Sequence, residues 1–218
     1  LPQFSRLAAD AGDRIRAECD VPAGFPAAVI AAAEQAAARQ VGSEHRDRTD
    51  REFMTLDPAS SIDLDQAFAI DAGSAQGESA DVVLHYAIAD VGWFVRPGDA
   101  IDTEAFRRGL TIYMPDRRAT LYPPVLSEGA ASLLPDVARP AVVFTVRIAP
   151  DGSSTLDGVE RAVVRSRSKL AYDAVSADDL PDGFAELHRR FQAAEIRRGA
   201  PRVEFPEQEV TRLDDGRY

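Results

Sequence analysis

The feature that most restricts the fold is a change in the spacing of apolar residues near position 52. Before this position, apolar residues recur at helical spacing, both in residues 4–15 and in the alanine-rich segment 26–40. After it, short runs rich in β-branched and aromatic residues alternate with turn sequences. The change predicts a helical lead followed by a sheet.

The apolar runs after position 52 predict strands, and the segments between them predict helices. The predicted strands are 52–57, 66–71, 81–90, 110–114, 140–152 and 159–167, and 202–210 is strand or extended. The predicted helices are 102–109, 169–176 and 183–199, the first with Asp102 as N-cap and Gly109 as its end. The fold class that follows is α+β, with a mixed sheet and surrounding helices.

We predict two parts of the chain, which has 218 residues. Residues 1–51 form the helical lead and a polar linker, and residues 52–218 form one α+β domain. The sequence ends at "DDGRY", which reads as a turn, so we expect the domain to continue beyond it.

Charge and cysteine content narrow the function classes. The formal net charge of −11 argues against a protein that simply coats nucleic acid, although a metal-dependent nuclease can be acidic. The apolar runs are too short to span a membrane, and the start lacks a secretory pattern. The single cysteine, Cys19, cannot form an intrachain disulfide, so we expect a cytoplasmic location.

The stretch "TLDPASSIDLDQAF" (55–68) has the residues best suited to chemistry. Asp63 and Asp65 are two positions apart, so in an extended segment both point to one face while Leu64 points to the core. A turn at Pro58 can bring Asp57 beside them. Oxygen ligands without His or Cys favour magnesium or manganese over zinc, and two such ions suit phosphoryl chemistry.

Other interpretations of this stretch compete with a metal site. Aspartates beside Pro and Ser are common in turns. An EF-hand fits poorly, because this loop lacks the ligand spacing and the glycine that an EF-hand requires. A serine hydrolase triad has no support at Ser127 or Ser132.

Three long segments together resemble the RNB catalytic domain of the RNase II and RNase R exoribonucleases. They are "LDPASSIDLDQAF", "HYAIADVGWFVRPGDAIDTEAFRRGLTIYMPDRR" and "LYPPVLSEGAASLLPDVARPAVVFTV". The resemblance covers about residues 52–215 and implies the N-terminal half of that domain. The helical lead is similar to a shorter, actinobacterial-type subfamily and not to members that begin with cold-shock domains.

The resemblance implies a magnesium-dependent hydrolase that degrades single-stranded RNA from the 3′ end and releases nucleoside 5′-monophosphates. It implies that Asp57, Asp63 and Asp65 are catalytic metal ligands, with Asp65 the essential one. The family's fourth aspartate falls on Gln66, which keeps an oxygen donor but has no charge. We therefore expect an active site that is weaker than one with four aspartates.

The resemblance also implies an RNA contact at Tyr113, which would stack on the 3′-terminal nucleotide; the alternative is a core tyrosine at a strand end. Arg107 and Arg108, with the nearby Arg117 and Arg118, are candidates for binding the phosphate backbone, or else form a solvated charged face. Asp90 either supports the RNA channel or only ends a strand, and His85 is expected in the core.

Three functions remain at this point, and none of them implies a membrane or a protein partner. The first is a hydrolytic exoribonuclease acting in RNA degradation. The second is an RNB-like protein that binds RNA 3′ ends but cleaves weakly because of Gln66. The third is a structural domain in which a cation only braces the acidic loop.

Overall fold

The three-dimensional structure is a computed structural model that describes residues 11–72, 80–114 and 117–199. The predicted stripe at 4–15 falls largely outside these ranges, and the predicted segment 202–210 falls wholly outside them. Within them the elements are, in order, α1 (Ala11–Glu18), α2 (Ala27–Ala37), β1 (Arg46–Asp47), β2 (Phe53–Asp57), β3 (Gln66–Ala72), β4 (Val82–Ala89), α3 (Val91–Phe94), α4 (Ala100–Arg108), β5 (Ile112–Tyr113), β6 (Arg118–Ala119), a π-helical turn (Leu126–Ala130), β7 (Ala138–Ile148), β8 (Ser154–Ala171), a 3-10 turn (Ala177–Asp179) and α5 (Phe184–Arg198).

Six strands form one mixed sheet in the order β1-β8-β2-β3-β4-β7. The strand β8 pairs in parallel with β1 and β2 and antiparallel with β7, so the pairings close into a ring through β8. The strands β5 and β6 form a separate two-stranded hairpin. The predicted α+β class with a mixed sheet is confirmed. The strand β1 lies within the polar segment that the sequence predicts as a linker.

The apolar side chains separate into a sheet core and a helical layer. The sheet core contains Phe53, Leu64, Ala67, Ala87, Ala141, Val143, Ala162 and Val164. The helical layer packs α2 and α4 against α3 and the π-helical turn, through Ala33, Ala36, Phe94, Ile101, Leu126 and Ala131. No helix in the described ranges has both the length and the apolar character that crossing a bilayer requires.

Two of the predicted helices differ from the structure, the first at its start and the second over its whole length. The helix α4 begins after Asp99 and not Asp102, because the Asp99 side chain accepts a hydrogen bond from the backbone N–H of Asp102. The predicted helix at 169–176 is instead the end of β8 followed by a turn, because residues 166–171 pair with β2. The predicted end of α4 at Gly109 is confirmed, with φ of 76°.

Besides its apolar packing, the helix α5 is attached to the sheet by the hydrogen bonds of one buried arginine. The side chain of Arg190 donates to the backbone carbonyls of Ile148 and Ala80, each at 2.7 Å, and to the Glu186 carboxylate at 2.6 Å. Gly152 lies against this helix with φ of 78°, and a Cβ there would be 2.5 Å from the Arg190 carbonyl oxygen. This close approach requires glycine in the turn between β7 and β8.

Candidate functional site

The acidic loop connects two neighbouring strands of the sheet. Asp57 is the last residue of β2 and Gln66 is the first residue of β3, so Asp63 and Asp65 lie in the connection between them. Leu64 is fully buried in the sheet core, while Asp65 is exposed and Asp63 is half-buried. The predicted inward orientation of Leu64 is therefore confirmed, and it leaves the two flanking acids at the surface.

The backbone around Leu64 is held by the segment after the π-helical turn. The Ser132 hydroxyl accepts the Leu64 N–H at 2.9 Å and donates to the Ile62 carbonyl at 2.8 Å. The Leu133 N–H donates to the Leu64 carbonyl at 2.7 Å, and the Ala89 N–H donates to the Asp65 carbonyl at 2.9 Å. These bonds fix the main chain that presents both acids. Ser132 thus has a supporting role that its sequence context did not reveal.

The chain's one lysine braces the turn between Asp57 and Asp63. The Lys169 ammonium donates to the carbonyl oxygens of Ala59 and Ser61, at 2.7 Å and 2.5 Å. Its position also follows from the sheet, because Lys169 on β8 pairs with Thr55 on β2. The sequence could not indicate this contact, because the two segments are 110 residues apart.

Asp57 is influenced by both of the other acids. Burial raises the pKa of Asp57, and the negative charges of Asp65 and Asp63 raise it further, while Lys169 opposes them. The three carboxylates are therefore within electrostatic reach of one another. Across the described ranges, however, no three His, Cys, Asp or Glu side chains converge into a group that could hold a metal ion.

Asp63 is paired with an arginine of the β5–β6 hairpin. The Arg118 Nη1 atom is 2.9 Å from both carboxylate oxygens of Asp63, and its Nη2 atom donates to Glu128 at 2.8 Å. Burial alone would lower the pKa of Arg118, but the Asp63 hydrogen bond and the charges of Asp63 and Glu128 outweigh burial and raise it. Both oxygens of one predicted metal ligand are thus bound by a cationic side chain.

Gln66 is held by a tyrosine on the neighbouring strand. The Tyr86 hydroxyl donates to the side-chain oxygen of Gln66. Burial raises the pKa of Tyr86, and the nearby charge of Asp65 adds to this effect. Tyr86 therefore stays protonated near neutral pH and remains a hydrogen-bond donor. Tyr86 thereby orients the amide oxygen of Gln66.

A cavity of about 230 Å³ opens beside the acids. Asp63, Asp65 and Tyr113 are among the residues that line it. Its apolar wall is formed by Ala89, Val91, Phe94, Leu121, Leu126 and Ala131. The Tyr113 side chain is 73% exposed, which fits a stacking surface better than the alternative of a core tyrosine.

The two predicted substrate-binding arginines lie on α4, where each is bound by protein groups. Arg108 is only 2% exposed, and it donates to Glu104 and to the carbonyls of Thr120 and Gly24. Arg107 is more exposed but pairs with the same Glu104. Binding of RNA by Arg108 would require it to leave these partners. Arg118 is the arginine that the structure places in contact with the acidic loop.

Asp90 lies at the end of β4 in a buried ionic cluster. Its carboxylate is 2.9 Å from the His45 Nε2 atom and 3.0 Å from the Arg161 Nε atom. These contacts connect β4 with the segment before β2 and with β8. A role for Asp90 near RNA stays a prediction.

His85 is buried and lies within hydrogen-bond distance of Asp71 and Thr145. Its predicted core position is therefore confirmed.

The donor set at the loop fits a hard divalent cation by its chemistry. Asp57, Asp63, Asp65 and Gln66 offer carboxylate and amide oxygens, the ligands that magnesium and manganese prefer. The mutual repulsion of the carboxylates is the kind of electrostatic cost that a bound cation removes.

Comparisons with known proteins place this arrangement in a family. The family model described as "RNB domain" matches residues 45–200. Ribonuclease R of Chlamydia muridarum is 30% identical over 207 residues, which cover 88% of this chain and 29% of that protein. The "Inactive exonuclease DIS3L2" of Arabidopsis thaliana is 32% identical over 164 residues, covering 72% of this chain and 15% of that protein.

A solved structure has the same fold. Mycoplasma genitalium RNase R in complex with ribose-methylated single-stranded RNA superposes with a TM-score of 0.66 at 23% identity, covering 84% of this chain and 29% of that one. The chain thus spans less than a third of the length of these relatives. Because the family model covers more than half of the 218 residues, the chain belongs to the RNB domain family.

Proposed function

We propose that this chain is part of a metal-dependent 3′-to-5′ exoribonuclease that hydrolyses single-stranded RNA and releases nucleoside 5′-monophosphates. The proposal is carried by the acidic loop, in which burial and the charges of Asp65 and Asp63 raise the pKa of Asp57, and in which Asp63 and Asp65 line a cavity together with Tyr113. Several relatives are named ribonucleases or exoribonucleases, which supports a nuclease activity.

We propose that the cofactor is Mg²⁺, with Mn²⁺ as a substitute, held by Asp57, Asp63, Asp65 and Gln66. When bound, such ions would supply an activated hydroxide and stabilise negative charge on the phosphate. The chain's own contribution is to position the ligands. Ser132 and Leu133 fix the main chain of the loop, and Tyr86 orients the amide oxygen of Gln66.

Tyr113 is proposed to bind the 3′-terminal nucleotide by stacking. Tyr113 is exposed and lines the cavity that Asp63 and Asp65 also line, so a base stacked on its ring would lie near these acids. Stacking on an aromatic ring contributes about 1–3 kcal/mol and tolerates any base. The RNA bound by the Mycoplasma genitalium relative is consistent with a substrate of this class.

A labelled single-stranded oligoribonucleotide tests the proposal directly. With a 5′ label and Mg²⁺, we expect a ladder of fragments shortened stepwise from the 3′ end, and nucleoside 5′-monophosphates as the small product. EDTA should stop the reaction. Internal cuts, 3′-monophosphate products or activity in excess EDTA would contradict it.

A second candidate is an RNA 3′-end-binding protein with weak or no catalysis. Two observations favour it: Gln66 replaces a charged ligand, and one similar Arabidopsis thaliana protein is named an inactive exonuclease. Under either candidate, the cytoplasmic location, the actinobacterial-type subfamily, the N-terminal-half assignment and the domain limits stay predictions.

The Gln66→Asp variant separates a weakened site from an inactive one. Adding the fourth carboxylate should lower the Mg²⁺ concentration for half-maximal rate by about tenfold. At such short range, a negative charge on a ligand adds roughly 1 kcal/mol or more to the free energy of Mg²⁺ binding. The rate would be measured in an Mg²⁺ titration. Gln66→Glu is the matched control, because it adds the same charge on a side chain that is one carbon longer than that of aspartate. No gain in rate or Mg²⁺ affinity for Gln66→Asp would contradict the weakened-site interpretation.

A further inference from the structure

Arg118 connects the β5–β6 hairpin with the acidic loop. It is the first residue of β6 and pairs across the hairpin with Tyr113 of β5. Its guanidinium contacts Asp63 through Nη1 and Glu128 through Nη2. One arginine therefore connects the proposed stacking surface, one proposed metal ligand and the π-helical turn.

The contact with Asp63 engages both of its oxygens. The Nη1 atom lies 2.9 Å from Oδ1 and 2.9 Å from Oδ2. A divalent ion coordinated by Asp63 needs at least one of these oxygens, and its charge would repel a guanidinium at that distance. The ion and Arg118 therefore compete for the same carboxylate.

The environment of the Arg118–Asp63 ion pair favours a strong interaction. The side chains of Arg118 and Asp63 are 28% and 26% exposed, so water screens their attraction only in part. Glu128 binds the Nη2 atom of the guanidinium and so restrains its position. Arginine also stays protonated at all ordinary pH values, so the positive charge of Arg118 is always present.

We propose that Arg118 acts as a counter-cation, which neutralises Asp63 when no metal ion is bound. A divalent ion must displace Arg118 in order to coordinate Asp63. This inference rests on the proposed function, in which the three acids bind Mg²⁺ or Mn²⁺. Arg118 is then a positioning residue that weakens and tunes metal affinity. It also accounts for the failure of the three carboxylates to converge, because Asp63 is held toward the hairpin.

Mn²⁺ binding, measured by electron paramagnetic resonance of the free ion, tests this inference without any need for activity. Arg118→Gln should tighten the Mn²⁺ Kd by about tenfold, because it removes a unit charge next to a ligand. Arg118→Met keeps the apolar stem of the side chain, and it should give the same result if the Gln variant folds poorly. Circular dichroism would verify the fold of each variant.

Arg117→Gln is the matched control, because it removes the same charge from the neighbouring position of the hairpin. Arg117 pairs with Asp13 and its side chain is 57% exposed, so solvent screens its charge and the Mn²⁺ Kd of this variant should change less than about twofold. An equal gain in Arg117→Gln would overturn the inference in favour of a general charge effect.

The remaining outcomes separate this inference from the proposed function. If the wild-type protein binds Mn²⁺ and the Arg118 variants bind it equally or more weakly, the counter-cation role is overturned while the metal site stands. If neither the wild-type protein nor any Arg118 variant binds Mn²⁺, the metal site itself fails, and the counter-cation role fails with it. Binding by the variants alone would support the displacement strongly.

Discussion

Asp65→Asn is expected to lower the rate of RNA degradation by at least about 100-fold while RNA affinity changes less than about threefold. Changes to groups that only support a metal ligand already lower metal affinity or activity by about 10–100-fold, and Asp65 is proposed to be a ligand itself. Asparagine keeps the shape of the side chain and one oxygen. Because Asp65 is exposed, the fold should be unaffected. Single-turnover degradation and filter binding in EDTA measure the two quantities.

Asp178→Asn is the control for this prediction, because Asp178 is an exposed aspartate in the 3-10 turn. It should leave both quantities unchanged. The two alternatives give different results for Asp65→Asn: a pure RNA-binding protein would show no activity to lose, and a cation-braced structural domain would lose stability and bind no RNA. Full activity in Asp65→Asn would contradict the proposed metal ligand.

Arg190→Ala is expected to lower the free energy of unfolding by about 3–5 kcal/mol, the usual range when one partner of a buried charged network is removed. Arg190 is 1% exposed and holds two main-chain carbonyls together with Glu186. Without it, the Ile148 carbonyl loses a partner inside the core, and α5 keeps only its apolar contacts with the sheet. Urea unfolding followed by circular dichroism gives the free energy.

The neighbouring arginine on the same helix is a matched control. Arg189 also pairs with Glu186, but its side chain is 56% exposed. Arg189→Ala should therefore change the free energy of unfolding by no more than about 1 kcal/mol, as for other surface ion pairs. Similar losses in both variants would show that the Glu186 pair, and not the buried carbonyl contacts, stabilises α5.

The parts of the fold that depend on local pattern could be predicted from the sequence. The strands β2, β3, β4 and β7, the helix α5 and the inward position of Leu64 follow from alternation or helical spacing within a few residues. The predicted helix at 169–176 failed because its residues pair with β2, and pairing between distant strands overrides local propensity.

The candidate site shows the same division between local and distant contacts. The motif at residues 55–68 predicts that Asp57, Asp63 and Asp65 are metal ligands. The residues that contact this loop in the structure come from elsewhere in the chain. Arg118 and Arg108 look alike in the sequence, and only the fold turns one to Asp63 and buries the other against Glu104. Contacts of Ser132 and Lys169 with the loop were also unpredictable, since nothing local links them to it.

The parallel pairing of β2 with β8 has a consequence for the order of folding. The β3–β4 hairpin can form early because its strands are close in sequence, and β2 can join it through β3, whereas the pairing of β2 with β8 requires closure of a much longer loop. The Lys169 brace can form only once that loop has closed. A ligand that binds the acidic loop only after β8 has paired with β2 would therefore stabilise the fully paired sheet over partly paired states.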